Sequence, residues 1–157
     1  MDVDQDSAGV KFAPAAAFAG TLVVGLALGR FLGSPGLPLS NSTERGIGWL
    51  AVILGIGIVF SAIGLFRSEG TDPQPWKRST ALVTDGVYRW SRNPRYFGMA
   101  LAYAGLAIWL DSLVTLLLLI PLVFVIQKEV IEREEAYLAG KFGDRYLTYK
   151  SLVRRWI

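Results

Sequence analysis

The 157-residue chain contains no cysteine and no histidine. Without cysteine there is no disulfide framework, no thiolate nucleophile and no thiolate metal site. Without histidine the commonest metal ligand and the usual general base are missing too. Zinc chemistry and Ser-His triads are thereby excluded, and no metal site is expected. Charge is also scarce: 18% of residues are charged and 52% are hydrophobic, too apolar for a soluble domain of this size. The net charge of +3 arises from basic residues flanking apolar runs, so it reads as a topology signal and implies no nucleic-acid partner. The class that remains is an all-α polytopic membrane protein forming a single membrane domain.

Residues 1–11 begin acidic, with Asp2, Asp4 and Asp6, and lack the basic start and small-residue cleavage site of a signal peptide. They are expected to be a flexible tail. Two apolar runs within 12–66 follow, Phe12 to Leu32 and Gly46 to Phe66, each long enough to cross about 30 Å of hydrocarbon as a helix. Gly25, Gly29 and Gly33 recur every four residues on the first. Such a face serves either as a helix seam inside one subunit or as a homodimer contact. A Pro/Gly/Ser-rich turn is expected over 33–43.

The third apolar stretch, Phe97 to Ile126, carries one charge, Asp111. As one straight helix it would measure about 45 Å, too long for one upright span. A break at Asp111-Ser112 permits a tight hairpin of two short helices, with Ser112 as N-cap. Charge decides: the loop 67–96 holds six Lys/Arg and the chain from Lys128 onward holds seven, and both belong on the cytoplasmic side. Only the hairpin allows this. The expectation is therefore about four transmembrane helices with both termini cytoplasmic, a cytoplasmic C-terminal helix, and a bacterial inner membrane as the location.

The loop from Arg67 to Asn93 is long and rich in turn residues rather than low-complexity filler, which suggests function. At its end Asn93 is a good N-cap and Pro94 a good first helical residue. The third helix should then present its amide groups, positive dipole end, Arg92 and Arg95 to the interface. That end can hold a carboxylate or phosphate, or the arginines can simply meet lipid headgroups. Beyond Pro121 the fourth helix continues into a charged segment. Lys128 with Glu132, and Glu129 with Arg133, stand at i,i+4 spacing and form a solvated face. Glu134 and Glu135 lack such partners, which leaves them freer to meet a cationic ligand.

Taken in order, Gly70-Thr71, Pro75, Leu82-Val83-Thr84-Asp85-Gly86-Val87-Tyr88, Arg92-Asn93-Pro94-Arg95-Tyr96-Phe97-Gly98, Glu134-Glu135 and Phe142-Gly143-Asp144-Arg145-Tyr146 with Tyr149 resemble the isoprenylcysteine carboxyl methyltransferase family and its phospholipid N-methyltransferase relatives. The resemblance covers roughly 64–157 and makes 67–157 a methyltransferase-like catalytic region. It implies an integral-membrane enzyme using S-adenosylmethionine, with a cytoplasmic cofactor pocket and a lateral opening for a lipophilic or small methyl acceptor. By position it implies cofactor contacts from Thr80, Ala81, Leu82, Val83, Tyr88, Asn93, Pro94, Arg95, Tyr96 and Glu134. Tyr88 and Tyr96 offer aromatic faces to adenine or to the sulfonium, although an interfacial aromatic belt would use the same residues. Glu134 or Glu135 can take the ammonium or favour the sulfonium, and Arg92 is the cationic candidate for orienting acceptor or cofactor.

Methyl transfer suits a histidine-free chain, because the cofactor supplies the reactive carbon and the protein supplies alignment, dryness and charge placement. Two positions depart from the family pattern. Asn93 stands where histidine is common, and Val130 stands where prenylcysteine-methylating members carry an arginine for the substrate carboxylate. Membrane sterol reductases share an Asn/His-Pro-x-Tyr-x-Gly segment, so an NADPH-dependent reductase is the enzymatic alternative, and a non-catalytic lipid- or partner-binding membrane protein is the third reading.

Overall fold

The computed structural model describes residues 3–33, 36–37 and 41–157, with the side chains of Asn41 and Glu44 set aside. Residues 34, 35 and 38–40 of the turn expected over 33–43 lie outside the described residues, and 41–43 belong to a helix. The elements in order are α1 (Pro14–Phe31), α2 (Asn41–Ser68), a 3-10 turn (Gly86–Arg89), α3 (Pro94–Trp109), α4 (Leu113–Ile126), a π-helical segment (Gln127–Ile131), α5 (Glu132–Phe142) and α6 (Asp144–Leu152). The described residues contain helices and loops and no strand, as expected.

Three stretches, Pro14–Phe31, Arg45–Ser68 and Leu113–Phe142, are long and apolar enough to cross a membrane. Large apolar side chains such as Val23, Leu50, Ile53, Phe60, Leu117, Ile120 and Phe124 stand exposed along them, a belt that bilayer hydrocarbon accommodates and water would not. The protein is an integral membrane protein. Of the four helices expected to cross, α3 is the short one: its 16 residues rise only about 24 Å. The hairpin itself is present. Asp111 turns with φ +50°, and Ser112 Oγ accepts from Thr115 N–H at 3.4 Å as the N-cap of α4.

The tightest packing lies between α2 and α3. A Cβ added at Gly55 would sit 2.5 Å from the Gly98 carbonyl oxygen, and one at Gly48 would sit 2.8 Å from that of Gly105. The two backbones touch at both levels, so any side chain there would force the helices apart. On α1, a Cβ at Gly25 would meet Thr115 of α4 at 2.9 Å, and buried Gly29 faces the α3–α4 turn. Gly25 and Gly29 of the α1 glycine face thus pack within the chain, as the seam reading expected, while Gly33 has no neighbour within 4 Å of an added Cβ.

The segment expected as a flexible tail packs against the rest of the chain. Val10 is wholly buried in the main apolar cluster with Tyr96, Ile126 and Val130. Asp4 N–H donates to the Trp76 carbonyl at 2.9 Å, and the carboxylates of Asp4 and Asp6 reach Lys77, Arg78 and Lys141. Burial of Val10 and these charge pairs hold residues 3–13 down as a strap beside the loop. Trp156 donates its indole N–H to Gln127 Oε1 at 2.9 Å.

Candidate active site

The loop 72–83 folds back over the ends of α3 and α5, and a cavity lies beneath it. Ala81, Leu82 and Val83 line it from the loop, Tyr88 from the 3-10 turn, Arg92 and Asn93 from the approach to α3, and Arg95 and Tyr96 from its first turn; Glu134 and Glu135 line it from α5. Ten of the residues singled out from sequence therefore come together. Thr80 and Pro94 do not line it. Thr80 Oγ1 donates to the Gly70 carbonyl at 3.0 Å and its N–H donates to Thr71 Oγ1 at 2.9 Å, so its polar groups serve the loop. Pro94 is buried as the first residue of α3.

The centre of the site is a buried ion pair. Arg95 Nη2 donates to Glu134 Oε1 at 3.1 Å, with the two side chains 11% and 19% exposed. The same nitrogen donates to the Tyr96 hydroxyl at 2.5 Å, and the guanidinium stands 4.8 Å from the centroid of that ring. Across the cavity Tyr88 is buried against Phe66, with ring centroids 5.5 Å apart. Its backbone carbonyl accepts from the Tyr149 hydroxyl at 2.7 Å. Burial pushes the phenols of both Tyr88 and Tyr149 well above their ordinary value, so both are neutral at physiological pH.

Glu135 behaves differently from the expectation of a free carboxylate. Its side chain is 6% exposed and accepts from Arg92 Nη2 at 3.0 Å and from Arg155 Nε and Nη2 at 3.0 and 2.9 Å. Lys150 Nζ stands a further 3.7 Å away. Arg92 also donates to the carbonyls of Lys150 and Val153 at 2.8 and 2.9 Å. Glu135 and Arg92 therefore act together as a clasp that holds residues 153–157 against the start of α3. Of Arg92's nitrogens, Nε is buried with no described partner.

Asn93 makes no side-chain cap. Its Nδ2 donates instead to the Arg155 carbonyl at 3.0 Å, because the docked segment lies within its reach. The first-turn amides of α3 are left without a described side-chain cap, and such a terminus favours an anionic group. Between α4 and α5 the π-helical segment inserts extra backbone just before Glu134 and Glu135; π turns occur frequently at functional sites.

Sequence reading missed several walls. Ala8 of the strap, Tyr137 and Leu138 of α5, and Tyr146 and Tyr149 of α6 also face the cavity. The two α6 tyrosines belong to the ordered motif series, which was their available signal; Ala8 carried none.

A profile of the phospholipid methyltransferase family matches residues 43–145, from the start of α2 into α6. The chain belongs to the phospholipid methyltransferase family. Its matched region contains the Arg95–Glu134 pair, both site tyrosines of the loop and α3, and the π turn, while the strap and the docked 153–157 segment lie outside it. Among similar proteins, an uncharacterized protein of Haemophilus influenzae is 40% identical over 62 residues, which are 40% of this chain and 98% of that protein. Protein-S-isoprenylcysteine O-methyltransferase of Schizosaccharomyces pombe is 38% identical over 72 residues, and that of Saccharomyces cerevisiae 35% over 72. Each yeast match spans 46% of this chain and 30% of the yeast enzyme. The family description and the names of the two yeast relatives both concern methyl transfer.

Proposed function

We propose that this protein transfers a methyl group from S-adenosylmethionine to a lipophilic or small acceptor, at the cytoplasmic face of a bacterial inner membrane. The observation that carries the reading is the Arg95–Glu134 pair held between buried Tyr88 and Tyr96 on the wall of one cavity. A carboxylate beside aromatic faces is suited to a ligand carrying an ammonium and a sulfonium. The uncapped amide end of α3 suits that ligand's carboxylate. The residues present therefore fit the cofactor.

When bound, the cofactor supplies the electrophilic methyl carbon. The chain's own residues hold and dry the site. Glu134 receives the ammonium or balances the sulfonium charge, Arg95 keeps the carboxylate aimed, and the neutral phenols of Tyr88 and Tyr149 add no competing charge. The chain has no histidine, and Glu134 and Glu135 are each engaged by arginine, which suits a carboxylate or thiolate acceptor, or an amine made neutral by desolvation. Val130 is wholly buried among Val10, Tyr96 and Ile126 and offers no cation to a prenylcysteine carboxylate. Arg92, the other candidate, has its guanidinium engaged by Glu135 and two carbonyls. The acceptor we favour therefore enters from the bilayer without that carboxylate contact.

Calorimetric titration of the detergent-purified protein with S-adenosylmethionine, S-adenosylhomocysteine and NADPH tests this. Binding of the first two alone supports the proposal; binding of NADPH alone moves the protein to the reductase class. Glu134→Gln should weaken cofactor binding about tenfold or more, with helical content retained, since hydrogen bonds to a charged group contribute about 1.5–3 kcal/mol. Unchanged affinity would remove Glu134 from the site.

A further inference from the structure

The cavity has only about 60 Å³ of free volume, against roughly 300–1,000 Å³ for a small-molecule site. At least one wall must retract to admit a ligand the size of a nucleoside sulfonium. The other walls are packed helices, the buried Arg92–Glu135 clasp and the loop 72–83, which Thr80 ties to Gly70 and Thr71. The strap is different. It reaches the cavity through Ala8, and before Val10 it is held at its solvent-facing edge.

Its fastenings begin with the Asp4 N–H, which donates to the Trp76 carbonyl at 2.9 Å, and with Ala8, which packs against the main apolar cluster; the rest are polar. Asp4 pairs with Lys77 at 3.5 Å and accepts from the Arg78 N–H at 3.1 Å. Asp6 pairs with Arg78 at 3.1 Å and with Lys141 at 2.6 Å. The Asp6 carbonyl accepts from the hydroxyl of Tyr137, itself a wall residue, at 3.0 Å. The carboxylates of Asp4 and Asp6 are 40% and 51% exposed, so salt screens them and each pair is individually weak. Val10 is the opposite, an apolar anchor wholly buried. Gly9 joins the two parts with φ +65°, a conformation that glycine adopts without strain.

We propose that residues 3–8 are a movable wall of the cofactor site, swinging on Gly9 about the Val10 anchor, and that ligand enters and leaves only when their charge pairs release. This inference rests on the reading of the cavity as the S-adenosylmethionine site. The three cations and Tyr137 form the latch, and the two aspartates form the catch. Closing the wall removes water from around Glu134 and the tyrosines, and opening it sets the rate of exchange.

The test measures association and release of S-adenosylhomocysteine in the purified full-length protein. The double variant Asp4→Asn/Asp6→Asn should speed both rates about tenfold while the dissociation constant stays within about threefold. Raising the salt concentration should speed exchange in the wild type and leave the double variant unmoved. The chain has no cysteine, so Asp6→Cys with Lys141→Cys can be bridged at one place by a reducible bis-thiosulfonate. Bridging should slow exchange about tenfold or more, and reductant should restore it. Rates unchanged by both the double variant and the bridge would overturn the gate, as would lost affinity without faster association. Failure of the wild-type protein to bind at all would instead overturn the cofactor site, and the gate with it.

Discussion

Two segments from opposite ends of the sequence dock on residues of the same site, one on Arg92, Asn93 and Glu135 and the other beside Tyr137, and they are fastened in opposite ways. Residues 153–157 are held by a buried carboxylate, Glu135, between Arg92 and Arg155, with backbone carbonyls 150, 153, 154 and 155 accepting from residues 91–93. Residues 3–8 are held by exposed carboxylates and lysine or arginine side chains at the water's edge. Desolvation makes the first fastening costly to break, because Arg92, 9% exposed, would be left buried without its carboxylate. The second faces water throughout, so its breaking costs little. One segment is built to stay and the other to leave.

Breaking the buried fastening should have the largest effect. Glu135→Ala should cost about 3–5 kcal/mol of stability, read as a fall in the thermal or denaturant midpoint, with residues 153–157 newly open to protease. A small change would mean that Arg92 and Arg155 find water, and the two segments would then be alike. The α2–α3 seam provides a ruler between the extremes: Gly55→Ala pushes against the Gly98 carbonyl and should cost about 1–3 kcal/mol without exposing either segment. Asp4→Asn/Asp6→Asn should cost least, with the smallest shift of midpoint of the three in the same unfolding assay.

Acidity sharpens the contrast further. The hydrogen bond from Lys141 holds the Asp6 carboxyl below its ordinary value. A depressed folded-state value means that the contribution of Asp6 is present above the ordinary carboxylate range and is lost as pH falls through and below it. Ligand exchange should therefore be flat from about pH 5 to 8 and quicken only in stronger acid. A transition near neutrality would show that some other group governs the strap.

How much of this was legible in the residues follows from the range over which each signal acts. The α3–α4 hairpin was readable because Asp111 interrupts an apolar run and because charge sums on its two sides had to agree. The Lys128–Glu132 and Glu129–Arg133 pairs form as their spacing requires, at 3.0 and 2.7 Å. Arg95, Tyr96, Tyr88 and Glu134 converge as the ordered motifs implied. The strap was not readable, since Asp4 and Asp6 find partners some seventy and more residues away. Nor were the true partners of Glu135, which lie just before α3, on α6 and beyond it. The α2–α3 seam escaped because its glycines stand seven apart, Gly48 with Gly55 and Gly98 with Gly105, whereas attention fell on the four-residue spacing in α1. Thr80 was carried along with its neighbours, although a hydroxyl beside the Gly70 carbonyl satisfies itself there.

The π-helical segment Gln127–Ile131 makes the chain's aim depend on a single count. A helix turns about 100° per residue, so deleting one residue from this segment would let α4 and α5 run on as one plain helix with its apolar length hardly changed. The depth in the bilayer would be kept, yet Glu134 and Glu135 would point about 100° away from Arg95 and Arg92. Insertion into the membrane and orientation of the chemistry are thus written separately along the same helix, and a one-residue frame within it can spoil the second while sparing the first.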